Sequence, residues 1–412
     1  MSNPPKVRFA DYSDDWEQRK FGDDLISIQT GTNKLGSENG KGTPLLKMGN
    51  IQRGYFSLDK VEYLSDADDV EPENIAYYGD FFFNTRNTLE LVGKGATWTG
   101  NSGEYAFNSN IARFKLRELD AIFFNYLYNT RSMIEQVHDR AMGTTSVAAI
   151  YPQSLKSIEY YVPTMAEQQR IGELLLKIDN LITLQQREYE KLILLKSACL
   201  DKMFPKNGSK VPELRFAGFT GDWEQRKFSE LAEIRRGLTY KPSDICENGV
   251  RVLRSSNIDE DSFVTSEDDV FVKQDAINIP YAQSGDILIT SANGSSRLVG
   301  KHAIIDGIAD NSTVHGGFML LASAKNPQFV NAMMGSSWYV KFINTFVAGG
   351  NGAIGNLSKS DLDVQIVLVP SEPEQKQIGT YFQNLDNLIA LHQHKMEKLK
   401  QLKQTMLYSM FV

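Results

Sequence analysis

The residue types that perform catalysis do not gather in this sequence at any spacing that matches a catalytic motif. The segment Gly36–Thr43 resembles a phosphate-binding loop, but it is one residue short, and Gly42 follows Lys41 where a Ser or Thr is needed. Of the five histidines, only His392 and His394 lie close together, and on a predicted helix this spacing points them to different faces. The sequence therefore favours a protein that binds over one that catalyses.

Loop segments in both halves of the chain carry residue types that suit nucleic acid. Arg and Lys suit phosphates and guanine edges, Asn suits adenine, and Ser and Thr suit either kind of contact. In the first half, the candidate DNA contacts are Lys41, Lys47, Asn50, Arg86, Lys94, Trp98, Thr144 and Thr145. In the second half, they are Arg254, Asn257, Asn293, Ser295, Arg297, Lys301, His315 and Asn351. These residues can serve one ligand only if the surrounding elements bring them together.

The composition of the 412 residues indicates a globular, multidomain protein. Apolar residues make up 41%, yet no apolar run reaches the roughly 18 residues of a membrane span, and the N-terminus lacks the apolar core of a signal peptide. The two cysteines, Cys199 and Cys246, lie far apart, which excludes a disulfide scaffold and a cysteine-based zinc site and suits the cytoplasm. The net charge of −7 argues mildly against nucleic acid, but binding follows the local field, so we expect basic clefts on an acidic protein.

A tandem duplication is the strongest signal in the sequence. The segment Asp15–Phe21 recurs unchanged as Asp222–Phe228, 207 residues later. The same offset relates further pairs near the ends of the two halves: Arg8-Phe9 and Arg215-Phe216, Val162-Pro163 and Val369-Pro370, Asp179–Ile182 and Asp386–Ile389, Met203-Phe204 and Met410-Phe411. The stretches between, residues 22–155 and 229–362, match only at scattered points. A fixed frame with two divergent inserts is typical of a protein that reads two different targets.

A long amphipathic helix is predicted at the end of each half. Residues 167–204 place apolar side chains at three- and four-residue steps, and the second copy repeats the pattern up to Met410. A helix of about 36 residues would be roughly 54 Å long. Because each apolar stripe needs a partner, we expect the two helices to pair as an antiparallel coiled coil with pseudo-two-fold symmetry.

The predicted fold class is α+β, with two tandem globules separated by the two long helices. Each insert mixes short β-type runs with Gly, Asn and Ser loops and helical stretches, which predicts an α/β globule in each half. The predicted boundaries are 1–162 for the first globule, 163–206 for the central helix, 207–369 for the second globule and 370–412 for the C-terminal helix.

The motif Val-Pro-x-x-x-Glu-Gln-x-x-Ile, followed by a long amphipathic helix, occurs at Val162–Ile171 and again at Val369–Ile378. A motif of this kind, present twice at this spacing, resembles the specificity subunit of type I restriction–modification enzymes. The Gly-Asp before a β run and the Trp-x-x-x-x-Phe of Trp16–Phe21 also fit. The resemblance covers essentially the whole chain.

This resemblance implies a sequence-specific DNA-recognition subunit without catalysis of its own. The two globules would be target-recognition domains, each reading one half of an asymmetric bipartite sequence in double-stranded DNA. The helices would set the gap between the half-sites and dock two methyltransferase subunits, and restriction subunits that drive translocation would complete the complex. The chain itself would hold no cofactor, since S-adenosylmethionine and ATP would bind only to the partner subunits.

Two other interpretations remain open from the residues alone. A scaffold could join protein partners through its coiled coil and two domains that do not bind DNA. A self-sufficient methyltransferase is the other, and binding of S-adenosylmethionine by the isolated chain would distinguish it.

Overall fold

The computed structural model describes residues 5–143, 148–206, 208–347 and 356–411. The chain divides into two compact units. Unit 1 contains Met1–Gln186 together with His394–Val412, and unit 2 contains Arg187–Gln393. None of the described helices combines the length and the apolar character that crossing a bilayer requires.

Unit 1 combines short strands with helices. Its strands are β1 (Glu17–Lys20), β2 (Leu25–Thr30), β3 (Pro44–Leu46), β4 (Glu62–Tyr63), β5 (Phe81–Asn84), β6 (Arg86–Asn87), β7 (Gly95–Thr97), β8 (Ala106–Phe107), β9 (Ile111–Leu116), β10 (Met142–Gly143), β11 (Ala148–Ala149) and β12 (Glu159–Val162). Its helices are α1 (Phe21–Asp24), α2 (Ala121–Tyr128), α3 (Arg131–His138), α4 (Pro152–Leu155) and the first part of α5 (Met165–Lys202).

An antiparallel sheet of four strands, in the order β2-β9-β5-β7, forms the centre of unit 1. The central strand β5 is buried throughout. Phe81 and Phe83 pack in one apolar cluster with Tyr128 of α2, whereas Phe82 packs in another with Trp98. Because successive side chains of a strand point to opposite faces, both faces of this sheet are covered and a run of three phenylalanines is stable there.

The segments that recur in both halves of the sequence close one end of unit 1, and we define this frame as β1, β12 and the start of α5. β1 pairs antiparallel with β12, which leads into α5. Trp16, just before β1, meets Phe123 edge-on with ring centroids 6.1 Å apart. Phe411, near the C-terminus of the chain, stacks on Phe123 at 5.4 Å and so completes this core.

Unit 2 repeats the plan of unit 1. Its strands are β13 (Glu224–Lys227), β14 (Ala232–Arg236), β15 (Ile245–Leu253), β16 (Ile258–Asp259), β17 (Ser262–Phe263), β18 (Val270–Val272), β19 (Ile287–Thr290), β20 (His302–Ile304), β21 (Thr313–His315), β22 (Met319–Ala324) and β23 (Ile366–Val369). Its helices are α6 (Pro327–Met334), α7 (Ser337–Phe346), α8 (Lys359–Asp363) and the first part of α9 (Glu372–Met410).

The central sheet of unit 2 has the order β14-β22-β19-β20, which is the counterpart of β2-β9-β5-β7. Its frame is β13 paired with β23 and the start of α9. Trp223 packs against Phe204 and Phe329 with centroids 6.0 and 6.3 Å apart, as Trp16 packs in unit 1. The predicted tandem duplication and the mixed α+β content are therefore confirmed.

Parts of α5 and α9 pack against each other, antiparallel, within each unit. In unit 2, Cys199 Sγ lies 3.3 Å from Tyr381 Oη, and Lys196 Nζ lies 2.8 Å from Asp386 Oδ1. An earlier residue of α5 therefore contacts a later residue of α9, which shows that the two helices run antiparallel. In unit 1, Lys403 Nζ lies 2.6 Å from Asp179 Oδ1, which is the same pair 207 residues away with the helices exchanged.

The compact units do not coincide with the segments predicted from the sequence. Those segments separate each long helix from its globule, whereas Ile171 and Leu175 of α5 belong to the same apolar cluster as Phe21 and Phe81 of the globule. The helix starts are part of the globular cores, because their apolar faces are buried there.

Candidate nucleic-acid interface

In each unit, one end of the central sheet carries loops, and we call this end the loop edge. In unit 1 it comprises Thr32, Asn84–Arg86 and Asn108–Asn110: Thr32 bridges Asn108, and Asn84 at the end of β5 pairs with Ile111 at the start of β9. The opposite end of the same sheet adjoins the frame, since the backbone N–H of Asp120 donates to Gln168 Oε1 at 2.9 Å. The loop edge therefore points away from the start of α5.

The loop edge of unit 2 has the same backbone arrangement. We define it as Leu238, Ser291–Asn293 and Gly316–Phe318. Leu238 bridges Gly316, and Thr290 at the end of β19 pairs with Met319 at the start of β22. These two equivalences align Thr32 with Leu238 and Asn108–Asn110 with Gly316–Phe318.

A cavity of about 690 Å³ opens at the loop edge of unit 2. Its described lining residues are Leu238, Thr239, Tyr240, Pro242, Ile245, Arg254, Ser255, Ala292, Asn293, Gly294, Gly316, Gly317, Phe318 and Met319. This lining contains one cation, Arg254, and no carboxylate. It can therefore accept an anionic ligand that also presents apolar surface.

Two predicted contact residues of unit 2 lie at this cavity, and a third, Ser295, is hydrogen-bonded to one of them. Arg254 and Asn293 line it. Asn293 Nδ2 donates to Ser255 Oγ at 2.9 Å, and the backbone N–H of Ser295 donates to Asn293 Oδ1 at 2.9 Å. Asn293 thereby ties two loops together, while Arg254 and Ser295 remain exposed.

Arg297 and Lys301, the other predicted cations of unit 2, follow Asn293 and Ser295 in the chain between β19 and β20. Arg297 is exposed. Lys301 Nζ lies 3.6 Å from Glu260 Oε2, so a carboxylate offsets part of its positive field. Of the two, Arg297 is the stronger candidate for a phosphate or guanine contact.

The predicted cations of unit 1 are partly engaged with other side chains. Lys47 Nζ lies 2.6 Å from Glu62 Oε1, and Lys94 Nζ donates to Gln52 Oε1 at 2.8 Å. Arg86, at the loop edge on β6, and Lys41 are exposed. Lys94 has a neutral partner, so its full charge is available to a phosphate.

Asn50 and Asn257, both predicted as DNA contacts, have buried side chains that stabilise the fold. Asn50 Oδ1 accepts the backbone N–H of Lys47 at 2.9 Å, and Asn257 Oδ1 accepts that of Arg254 at 2.8 Å. Their Nδ2 groups donate to backbone carbonyls further along, including that of Ser57 in unit 1. Each Asn closes the same turn, and its polar atoms are unavailable to DNA.

Trp98, also a predicted DNA contact, has only 2% of its surface exposed. Its indole N–H donates to the Asn101 carbonyl at 3.1 Å, and its ring packs on Phe56 and Tyr105 with centroids 5.1 and 4.9 Å apart. The hydrogen bond and the aromatic contacts make Trp98 a core residue.

His315, another predicted DNA contact, has a fully buried side chain at the end of β21. Its Nε2 lies 3.2 Å from the Arg235 carbonyl oxygen, and its Nδ1 has no hydrogen-bond partner among the described residues. Burial lowers the pKa of His315 to about 4, so the imidazole is neutral at neutral pH.

Thr144, Thr145 and Asn351 lie outside the described residues. Conversely, the sequence analysis missed Phe318, whose ring is exposed at the cavity. The repeat could have indicated it, because Phe318 occupies the position of Asn110. The offset there is 208 and not 207, so a comparison at the fixed offset does not align the two residues.

Both units match the family model described as "Type I restriction modification DNA specificity domain", at residues 13–194 and 220–401. The chain therefore belongs to the type I restriction–modification DNA specificity family and carries two of its domains in tandem.

Individual relatives are distant but span the chain. The chain is 23% identical over 409 residues to the type I restriction enzyme MjaVIII specificity subunit of Methanocaldococcus jannaschii, which covers 95% of this chain and 91% of that protein. It is 24% identical to the EcoKI specificity subunit of Escherichia coli K12, over 81% of this chain and 73% of that protein. A crystal structure of a type I restriction–modification S subunit from M. genitalium shares its fold, with a TM-score of 0.64 and 16% identity over 100% of this chain and 99% of that one.

Proposed function

We propose that the two loop edges of this DNA specificity protein read the two halves of a split, asymmetric sequence in double-stranded DNA. The observation that carries this proposal is that one backbone arrangement presents different side chains in the two units. Ser109 and Asn110 in unit 1 stand where unit 2 has Gly317 and Phe318. Unlike side chains select unlike bases, so the target is not a palindrome.

The local charge at the loop edges accounts for DNA binding by an acidic protein. The net charge is −7, but Arg254 stands in the cavity of unit 2 without a carboxylate beside it in the described lining, and Arg86 is exposed at the loop edge of unit 1. DNA responds to this local field more than to the total charge. The partner subunits of the assembled enzyme would add further contacts.

The long helices are proposed to set the gap between the half-sites and to dock two methyltransferase subunits. α5 has 38 residues and α9 has 39, or about 57 Å of helix each at 1.5 Å per residue. Leu181 and Leu184 on α5 are exposed, and so are their counterparts Leu388 and Leu391 on α9. The same exposed leucines in both copies suit two identical partners. Restriction subunits would join this assembly in the cytoplasm.

We further propose that the chain holds no cofactor and performs no reaction itself. S-adenosylmethionine would bind to the methyltransferase subunits, and ATP to the restriction subunits. Among the described residues, no group of three His, Cys, Asp or Glu side chains could hold a metal ion. The chemistry of the loop edges is that of recognition: hydrogen bonding, charge and apolar contact.

The test uses the complex assembled with its methyltransferase. Single-molecule sequencing of methylated adenines first defines both half-sites and their gap. Arg297→Ala and Lys94→Ala are then compared for binding to that target. Loss of a base contact should cost about 1–3 kcal/mol and relax the preference at one position, whereas loss of a phosphate contact should weaken all sequences and lower the salt slope by about one.

Arg226→Ala is the matched control, because Arg226 is exposed on the frame strand β13. It should leave both affinity and preference unchanged. A methylated sequence that is palindromic, or one for which neither Arg297→Ala nor Lys94→Ala alters binding, would contradict the proposal.

A further inference from the structure

We propose that unit 2 recognises thymine in its half-site by contact between the thymine methyl group and an apolar wall centred on Phe318. This inference rests on the proposed function and specifies the base chemistry that one of its two sites reads. The wall is formed by Phe318, Tyr240 and Ile245, all of which line the cavity at the loop edge.

Phe318 combines a fixed backbone with an exposed ring. Its carbonyl oxygen accepts the backbone N–H groups of Ser291 at 2.9 Å and Ala292 at 3.1 Å. The next residue, Met319, begins β22 and is buried. Even so, 75% of the surface of Phe318 is exposed. A large apolar side chain held in water costs free energy, so its retention on a rigid backbone points to a ligand that covers it.

The residues around Phe318 indicate the chemistry of that ligand. Ile245 in this wall is also exposed, and the described lining includes Arg254 and no carboxylate. Asn293 and Ser255 supply hydrogen-bonding groups beside the apolar patch. The edge of a thymine-containing base pair has this combination of properties, because it presents a methyl group next to acceptors and lies between anionic phosphates. A cavity of about 690 Å³ is wide enough to admit such an edge.

Unit 1 offers an internal comparison at the same positions. Asn110 replaces Phe318, so the ring at the centre of the apolar wall is absent from the described loop edge of unit 1. Methyl recognition by this wall is therefore confined to the half-site that unit 2 reads.

The experiment replaces each thymine of the methylation target, one at a time, with deoxyuridine, which lacks only the methyl group. Affinity is measured at one fixed salt concentration for the complex with its methyltransferase, with wild-type and Phe318→Ala chains. For the wild type, at least one replacement should weaken binding by about fourfold, the factor expected from burial of one methyl-sized group. In Phe318→Ala, thymine and deoxyuridine at that position should bind equally, and all other positions should behave as in the wild type.

Asn110→Ala is the control at the matching position of unit 1, and Tyr78→Ala removes another exposed aromatic ring, before the strand β5. Neither should abolish the deoxyuridine effect. If Phe318→Ala weakens thymine and deoxyuridine duplexes equally, the ring acts as a wedge between bases and the methyl proposal is overturned. It is also overturned if no thymine responds to replacement, or if the target contains none. If the wild-type complex shows no preference for the methylated sequence, the proposed function itself fails.

Discussion

The two units make the same contacts at their frames and different ones at their loop edges. In unit 1, Arg8 donates to both carboxylate oxygens of Glu167 at 2.7 and 2.8 Å. In unit 2, Arg215 does the same to Glu374 at 2.7 Å for each bond. At the loop edges, by contrast, equivalent backbone bridges are formed by different residues, which are Asn108 in unit 1 and Gly316 in unit 2. The frame is constant where the helix joins the globule, and the variation lies where a target would be met.

Backbone hydrogen bonds explain how the loop edges vary without refolding. The N–H of Asn108 donates to the Leu46 carbonyl at 3.0 Å, and the N–H of Gly316 donates to the Leu253 carbonyl at 2.8 Å. These bonds are equivalent in the two units and do not depend on the side chains at either position. Side chains at the edge are thus free to change while the backbone that presents them stays fixed.

The largest expected effect comes from removing the frame ion pair, with Arg8→Ala in unit 1 and Arg215→Ala in unit 2. Each change leaves a fully buried carboxylate, Glu167 or Glu374, without its bidentate partner. We expect each variant to lose about 3 kcal/mol of unfolding free energy, because an uncompensated buried charge is costly. Urea unfolding, followed by hydrogen exchange in peptides from each unit, measures the loss and locates it.

The matched control for this pair is Arg131→Ala. Arg131 also bonds a carboxylate, Glu135, but its side chain is 92% exposed, so the change should have almost no effect. A large loss in only one of the two frame variants would show that the units are not energetically equivalent there.

The second prediction concerns the pH dependence of stability, in which the two units should differ. Unit 2 has the buried His315 where unit 1 has Phe107, each paired in parallel with the end of a matching strand. Burial, aided by the neighbouring Arg235 charge, lowers the pKa of His315 from an ordinary value of 6.5 to about 4, although the hydrogen bond to the Arg235 carbonyl and the Asp286 charge act to raise it. The unfolded chain binds a proton below pH 6.5 that the folded unit does not bind. Stability is therefore full above pH 6.5 and should fall by about 3 kcal/mol as the pH drops to 4.

His315→Phe, which copies the residue of unit 1, should remove this part of the acid sensitivity of unit 2. Phe107→His is the reciprocal variant and should introduce it into unit 1. Unfolding free energies at pH 7 and pH 4.5, with hydrogen exchange resolved by unit, provide the measurement. An unchanged pH dependence in His315→Phe would mean that other groups account for acid unfolding.

The smallest energetic change is expected from lengthening both helices by four residues, after Tyr189 in α5 and after the matching Met396 in α9. The insertion adds one helical turn, about 6 Å, to each. If the helices set the spacing, the gap in the methylated sequence should grow by about two base pairs while each half-site stays the same. Sequencing of methylated adenines reads both properties. An unchanged gap would exclude the spacer role.

The frame was predictable from the sequence because its residues are constrained in the same way twice. Trp16 and Trp223 recur at the fixed offset, and both are buried against the ends of the long helices. The antiparallel helix contacts follow from the apolar stripes, and Lys196–Asp386 and Lys403–Asp179 form in the predicted direction.

The loop edges were less predictable, because residue type alone does not separate a ligand contact from a turn closure. Asn50 and Asn257 have the side chain that suits adenine, yet they bond their own backbone. Phe318 has no polar group and lies where the repeat offset changes, so neither chemistry nor alignment indicated it. Only the strand register places it at the cavity.

The C-terminal end of α9 belongs to unit 1 and the C-terminal end of α5 belongs to unit 2. This arrangement determines the order in which the two units can be completed during synthesis. Unit 2 is continuous in the chain, and all of its residues have been made once Gln393 has been added. Unit 1 starts first but needs Phe411, which is translated after the whole of unit 2, to stack on Phe123. A nascent chain therefore closes its second unit before its first, and a stop codon just before Met410 would leave the earlier unit open with the later one intact.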